Sequence, residues 1–106
     1  RKLMGTKTVT KTKPQPNFDL KEPMMYKVIY INDEVTSMEF VVDSLQAIFG
    51  HSFEEATILT EVIHEKGSGV AGIFPYEMAE QKGVEVTQMA RNAGFPLQIK
   101  LEPVDD

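Results

Sequence analysis

Helix-start and helix-stop signals divide residues 26–101 into six short segments, and this division limits the chain to a small α+β fold. Two segments open on a capping box of the Ser/Thr-x-x-Glu type, one from Thr36 to Glu39 and one from Ser52 to Glu55. Glycines suited to the left-handed position after a helix follow all three predicted helices, at Gly50, Gly67 and Gly94. Segments this short can bury their apolar residues only against one another.

The residue pattern inside these segments predicts the order β-α-α-β-α-β. Strands are indicated by β-branched and aromatic residues, and helices by apolar residues three or four positions apart. The predicted strands are Tyr26–Ile31, Val70–Phe74 and Leu97–Leu101, and the predicted helices end near Phe49, Lys66 and Ala93. The third helix begins at Pro75, and its expected buried face consists of Met78, Ala79, Val86, Met89, Ala90 and Ala93. We therefore expect a small α+β sandwich, in which three helices lie on one face of a three-stranded antiparallel sheet.

The charge of the chain is unevenly distributed. Residues 1–22 hold six basic and two acidic residues, a net charge of +4, whereas residues 23–106 hold five basic and 14 acidic residues, a net charge of −9. The segment 1–23 combines charge, three prolines and few apolar residues, which predicts a disordered basic tail, and 24–106 is the predicted folded domain. An acidic domain argues against nucleic-acid binding and favours a cationic ligand.

Targeting and membrane signals are absent from the sequence as given. No apolar run approaches the ~18–20 residues that cross a bilayer, and no signal-peptide core opens the chain. We expect no membrane association and a cytoplasmic protein, with a plastid-type organelle as the alternative location.

Catalytic and cofactor motifs are weak. The run from Gly67 to Gly72 has the letters of a dinucleotide-binding fingerprint, but a helix precedes it and a strand follows, the reverse of what phosphate binding needs. Glu61, His64 and Glu65 lie together on one helix, yet one histidine with carboxylates is a poor zinc site. The chain has no cysteine. We expect no enzyme activity, no metal and no cofactor.

A polar cluster at the end of the first strand is the best candidate binding site. Asn32, Asp33 and Glu34 follow that strand, and His64 lies near the end of the second helix. Oxygen acceptors beside an apolar surface suit a small ligand, although an ordinary Asn-Asp turn explains the same residues.

Around this cluster the sequence resembles the ClpS family, adaptors that deliver amino-terminal degrons to Clp-type AAA+ unfoldases. The similar stretches are PMMYKVI (Pro23–Ile29), NDEVTSMEFVVDSLQ (Asn32–Gln46), EEAT (Glu54–Thr57), HEKGSGVAGIF (His64–Phe74), YEMAEQK (Tyr76–Lys82) and FPLQIKLEP (Phe95–Pro103). The resemblance covers about residues 23–103 in register, without an insertion or deletion between these stretches. The predicted order of elements also agrees with the family fold.

The resemblance implies a binding site for a free amino terminus followed by a bulky apolar side chain. The implied ligands of the α-amino group are Asn32, Asp33 and His64, all hydrogen-bond acceptors. The implied hydrophobic pocket consists of Tyr30, Ile31, Thr36, Met38, Val41, Thr60, Ile63 and Leu97, with Met38 as the gate against Val and Ile. On the third helix, the resemblance implies that Glu77 and Lys82 contact the amino-terminal domain of a Clp unfoldase.

The sequence departs from the family pattern near the pocket and on the docking helix. Thr60 stands where the family usually has methionine, Glu34 replaces an aspartate, and Ser37 replaces a proline. We expect these changes to shift the preference toward larger side chains or Tyr. Pro75 and Gln81 replace threonines on the docking surface.

Three functions are compatible with these patterns. The first is a non-enzymatic adaptor for chains that begin with Leu, Phe, Tyr or Trp. The second is a protein-interaction module of similar fold, such as a ribosomal-stalk-like domain, with an altered or degenerate pocket. The third is an enzyme that uses His64 and nearby carboxylates.

Overall fold

A computed structural model describes residues 23–105 as a three-stranded sheet with three helices. The strands are β1 (Met25–Ile31), β2 (Ser68–Pro75) and β3 (Gln98–Pro103), and the helices are α1 (Met38–Phe49), α2 (Phe53–Lys66) and α3 (Tyr76–Asn92). The predicted α+β class and the order β-α-α-β-α-β are confirmed. Four of the six strand ends extend one or two residues beyond the predicted ranges, whereas β1 ends as predicted and β3 begins one residue later. The predicted tail lies mostly outside the described residues.

Strand β1 occupies the middle of the sheet and pairs antiparallel with both other strands. At the end of β1, Ile31 faces Ser68 of β2 on one side and Gln98 of β3 on the other. The polar residues that follow Ile31 therefore emerge between the starts of two neighbouring strands.

The hydrophobic core lies between the sheet and the helices. Tyr30 of β1 is fully buried and belongs to one apolar cluster with Leu45 of α1, Ile63 of α2, Val86 of α3 and Leu97, which precedes β3. Burying a side chain of this size contributes about 1.5–3 kcal/mol. The core therefore fixes β1, and with it the polar loop at its end, against all three helices.

The capping box predicted at the start of α2 is confirmed. Ser52 Oγ accepts a hydrogen bond from the Glu55 amide at 3.0 Å, and the Glu55 carboxylate accepts one from the Ser52 amide at 3.1 Å. This reciprocal pair is a complete capping box.

The capping residue predicted for α1 is wrong. Ser37, not Thr36, is the N-cap, and its Oγ accepts a hydrogen bond from the Phe40 amide at 3.1 Å. The amide and hydroxyl of Thr36 both donate to Asp33 instead. Two adjacent hydroxyl residues compete for one capping position, and the turn made by Asp33 engages the first of them.

The predicted buried face of α3 is also partly wrong. Met78 is 47% exposed and Ala93 is exposed. The fully buried positions of the helix are Ala79, Val86 and Ala90, with Gly83 also buried. These positions form a narrow stripe; Met78 lies beside it, and Ala93 follows the last residue of α3 as its C-cap.

Within the glycine run, Gly69 lies where β2 packs closely on α2. A Cβ atom built on Gly69 would lie 2.7 Å from Ile63 Cγ1. A side chain at this position would push the strand away from the helix.

Candidate functional site

The loop after β1 is attached to the end of α2 by a backbone hydrogen bond. The Asn32 amide donates to the Gly67 carbonyl at 2.9 Å, and Gly67 is the left-handed C-cap of α2. His64 is an exposed residue in the last turn of that helix, three positions before Gly67. The fold therefore brings Asn32, Asp33 and the last turn of α2 to one end of the molecule.

Asp33 organises this loop through its carboxylate. Oδ1 accepts hydrogen bonds from the amides of Val35 at 2.8 Å and Thr36 at 2.6 Å, and Oδ2 accepts one from the Thr36 hydroxyl at 2.7 Å. A carboxylate offers about four lone-pair positions, so one remains for a ligand donor.

The electrostatics of Asp33 favour the charged form. Desolvation opposes ionisation, but hydrogen bonds from Thr36 and Val35, and the positive charge of Arg91, outweigh it and lower the pKa of the Asp33 carboxyl. Asp33 is therefore negatively charged at neutral pH, as an acceptor for a cation must be.

A cavity of about 370 Å³ lies between α1 and α2. Met38 and Thr60, two of the predicted pocket residues, line it. Its other lining residues are Glu39, Val42, Asp43, Phe53, Thr57 and Glu61. The sequence analysis missed Val42, Phe53 and Thr57, although Val42 is four positions from Met38, and Phe53 and Thr57 share a helix face with Thr60.

A second cavity, of about 300 Å³, adjoins the polar loop. Ile31, Asn32 and Asp33 form one side of it, and Pro96 and Gln98 form the other. The structure thus groups Ile31 with the two loop residues, and it places the connection between α3 and β3 against them. The sequence analysis missed Pro96 and Gln98, because no local pattern pairs this connection with Asn32.

The remaining predicted pocket residues are mostly interior. Val41, Ile63 and Leu97 are 6%, 3% and 1% exposed, and Thr36 is half-buried. Thr60 is 3% exposed, and its hydroxyl donates to the Ala56 carbonyl at 2.7 Å. The polar atom of Thr60 is therefore already bonded within α2.

Tyr30 is fully buried beneath α1. Its hydroxyl lies 2.7 Å from Ser44 Oγ, which in turn donates to the Val41 carbonyl at 2.9 Å. Burial raises the pKa of Tyr30, and the hydrogen bond to Ser44 only partly opposes this. Tyr30 supports the α1 residues above it.

The two predicted docking residues have different surroundings. Glu77 is exposed in the first turn of α3. Lys82 is half-buried, its ammonium donates to the Ile48 carbonyl at 2.9 Å, and it lies 5.8 Å from the centre of the Phe74 ring. Lys82 therefore also joins α3 to the last turn of α1.

The second histidine lies away from the polar loop. His51 Nε2 is 2.7 Å from the Ala71 carbonyl, and Nδ1 is 3.7 Å from Glu55. These contacts connect the α1–α2 turn to β2. Among residues 23–105, no group of three or more His, Asp or Glu residues could hold a metal ion. Within the same range, no helix has the length and apolar character needed to cross a membrane.

Comparison with known proteins identifies the family of the chain. The family model described as "ATP-dependent Clp protease adaptor protein ClpS" matches residues 21–100. The chain is 45% identical over 98 residues to the ClpS adapter of Rhodospirillum centenum, covering 92% of this chain and 87% of the relative. It is 41% identical over 100 residues to the ClpS adapter of Acetivibrio thermocellus, covering 94% of this chain and 99% of the relative.

A solved structure is similar as well. Agrobacterium tumefaciens ClpS2 bound to L-phenylalaninamide superposes with a TM-score of 0.76 at 36% sequence identity, covering 78% of this chain and 100% of the other. The chain therefore belongs to the ClpS family of Clp protease adaptors and is not itself a protease.

Proposed function

We propose that this adaptor binds proteins whose free amino-terminal residue is bulky and hydrophobic (Leu, Phe, Tyr or Trp) and delivers them to a Clp AAA+ unfoldase for degradation. The observation that carries the proposal is the Asn32–Asp33 loop, held at the end of α2 beside a cavity that Ile31 and Pro96 also line. The similar ClpS2 protein binds phenylalaninamide, which has a free α-amino group beside an aromatic side chain.

The polar residues suit an α-ammonium group. An ammonium has one positive charge and three donors, and the amide oxygen of Asn32, the carboxylate of Asp33 and a neutral imidazole of His64 can each accept one. Asp33 is ionised at neutral pH and retains an acceptor position. Charge-assisted hydrogen bonds of this kind contribute about 1.5–3 kcal/mol each.

The apolar residues suit the side chain of the same ligand. Met38 is 44% exposed at the start of α1, a position from which it can gate entry, while Val41 of the same helix and Ile63 of α2 are buried. Burial of a Leu or Phe side chain contributes about 1.5–3 kcal/mol. After the cost of association, we expect a binding free energy of about −8 kcal/mol, which corresponds to a dissociation constant in the micromolar range.

We place the unfoldase contact on the first turns of α3. Glu77 is exposed there and available to a partner. Lys82 contributes to this surface and also holds α3 to α1 through the Ile48 carbonyl. A Lys82 variant that loses docking must therefore be checked for loss of stability. We expect the protein to act in the cytoplasm.

Replacement of Asn32 by alanine tests the proposal. Asn32→Ala removes a side-chain acceptor but keeps the backbone bond to Gly67, so we expect affinity for a Phe-initiated peptide to fall at least about tenfold. Fluorescence anisotropy with a labelled peptide measures the change. The matched control is Asn92→Ala, at an exposed asparagine that ends α3, which should bind like the wild type.

The same assay separates the adaptor from an interaction module with a degenerate pocket. Acetylation of the peptide removes the ammonium charge and should abolish binding to the wild type. Docking on the unfoldase should survive Asn32→Ala, since Asn32 is not on α3. If acetylated and free peptides bind equally well, the amino-terminus site does not exist and the second function is favoured.

A further inference from the structure

Arg91 bonds the connection that leads from α3 to β3. It lies in the last turn of α3, and its Nη1 atom donates to the Phe95 carbonyl at 3.0 Å and to the Leu97 carbonyl at 2.8 Å. One guanidinium nitrogen therefore holds two carbonyls of the same short segment, which we call the 93–97 loop.

The 93–97 loop is folded back onto the helix that precedes it. Gly94 is left-handed, with φ 84°, and the Phe95 amide donates to the Ala90 carbonyl at 2.9 Å. The ring of Phe95 lies 5.3 Å from the ring of Phe40 in α1. The loop thus has a backbone anchor on α3, an aromatic anchor on α1 and the Arg91 bonds.

This loop leads directly into the wall beside the proposed amino-terminus site. Pro96 and Gln98 form the side of the 300 Å³ cavity opposite Asn32 and Asp33. Gln98 is the β3 residue that pairs with Ile31. A displacement of the 93–97 loop would therefore change the shape of the cavity that Asn32 and Asp33 line.

Arg91 also acts on the polar loop through its charge. Its guanidinium is among the groups that favour the ionised form of Asp33, after the hydrogen bonds from Thr36 and Val35. Arg91 is exposed, so solvent weakens this attraction. The hydrogen bonds and the positive charge of Arg91 therefore both act at the end of the molecule that holds the polar loop.

We propose that Arg91 is a positioning residue for the amino-terminus site. It holds the 93–97 loop so that Pro96 and Gln98 complete the wall beside Asn32 and Asp33. The inference rests on the proposed function, because it concerns the affinity for an amino-terminal residue.

Two variants of the full chain test the proposal. Arg91→Met keeps the unbranched stem but removes the charge and the donors, whereas Arg91→Lys keeps a charge and an ammonium donor. We expect Arg91→Met to weaken binding of a free Phe-initiated peptide about fivefold, as for loss of a partly exposed charge-assisted bond. We expect Arg91→Lys to recover binding to within about twofold of the wild type, which loss of packing alone would not explain.

Backbone amide spectra give a second measurement. Arg91→Met should shift the amide resonances of Leu97, Gln98 and Asn32 while those of β2 stay in place, and Arg91→Lys should restore them. Comparable thermal unfolding of both variants would establish that each is folded.

The outcomes separate the two proposals. If the wild type binds the peptide and Arg91→Met binds within about twofold of it, Arg91 is not a positioning residue and the proposed function stands. If Arg91→Lys is as weak as Arg91→Met, the role assigned to charge and donor is wrong. If the wild type fails to bind the free peptide, the proposed function itself is overturned.

Discussion

Single residues near the proposed site differ in how their polar atoms are used. Asp33 already accepts three hydrogen bonds from its own loop, and Thr60 donates its hydroxyl to the Ala56 carbonyl. The hydroxyl of Tyr30 is bonded to Ser44 in the core. Residue type alone predicted that these groups could bond, but their partners determine which remain available to a ligand.

Thr60 is the residue at which we expect ligand preference to be set. Because threonine is smaller than the usual methionine and lines the cavity between α1 and α2, the wild type should favour Phe and Tyr over Leu. Thr60→Met fills part of this cavity. Because each buried methylene contributes about 0.8 kcal/mol, we expect the ratio of Phe affinity to Leu affinity to change about fivefold in favour of Leu.

Anisotropy with peptides that differ only in a first residue of Leu, Phe or Tyr measures this ratio. Ile58→Met is a matched control, since it introduces the same side chain at an exposed position of α2 that does not line the cavity between α1 and α2. Equal affinity of the wild type for Leu and Tyr would remove the basis for a shifted preference.

At the scale of secondary-structure elements, local signals predicted most boundaries but did not choose between neighbouring residues. The box from Ser52 to Glu55 opens α2 as expected, because both of its hydrogen bonds span only three residues. The corresponding prediction at Thr36 failed because Asp33, outside the helix, bonds Thr36 and leaves Ser37 as the cap. Competition from a neighbouring turn is invisible to a four-residue motif.

Gly83 is a position at which α3 can be stabilised. A Cβ atom there would lie 3.5 Å from Ile99 and 4.0 Å from Leu101, ordinary contact distances. Glycine inside a helix costs about 0.8–1.0 kcal/mol relative to alanine, so Gly83→Ala should raise the free energy of unfolding by about that amount. Urea denaturation measures the change.

Gly50 provides the matched control, because the same substitution there should have the opposite sign. Its φ of 73° is unfavourable for alanine, although no atom obstructs a Cβ. Gly50→Ala should therefore lower the free energy of unfolding by about 1 kcal/mol. A destabilised Gly83→Ala would mean that β3 packs more tightly on α3 than these distances indicate.

At the scale of the whole molecule, the charge is divided between two parts of the chain. Residues 1–22 have a net charge of +4 and residues 23–106 one of −9. The acidic part includes the proposed site for a cationic amino terminus, and a negative surface increases the local concentration of such ligands. For the basic segment we propose a separate task, namely engagement of the unfoldase during delivery.

Removal of residues 1–22 tests this division. The truncated protein should bind a Phe-initiated peptide as the full chain does, because the elements that form the proposed site begin at Met25. It should fail to accelerate degradation of a Phe-initiated reporter by a Clp unfoldase with its peptidase.

A Gly/Ser-rich segment of the same length in place of residues 1–22 is the control for length alone. Its failure to restore delivery would indicate that the residues of the tail matter. Full delivery by the truncated protein would show that the basic segment has no role in it.

The order of the elements, the α+β class and the Ser52 capping box could be predicted from the amino-acid sequence, because these depend on patterns within a few residues. It also indicated Asn32, Asp33 and His64 through the family resemblance. The packing of whole elements was needed to show that Asn32 is bonded to Gly67, that Tyr30 is enclosed in the core, and that Arg91 donates to the Phe95 and Leu97 carbonyls. The Asn32 bond and the burial of Tyr30 join residues far apart in the chain. The Arg91 bonds are local, but they lie near the polar loop only because Ile31 pairs with Gln98 in the sheet. Such relations follow from the packing of whole elements, which no local pattern encodes.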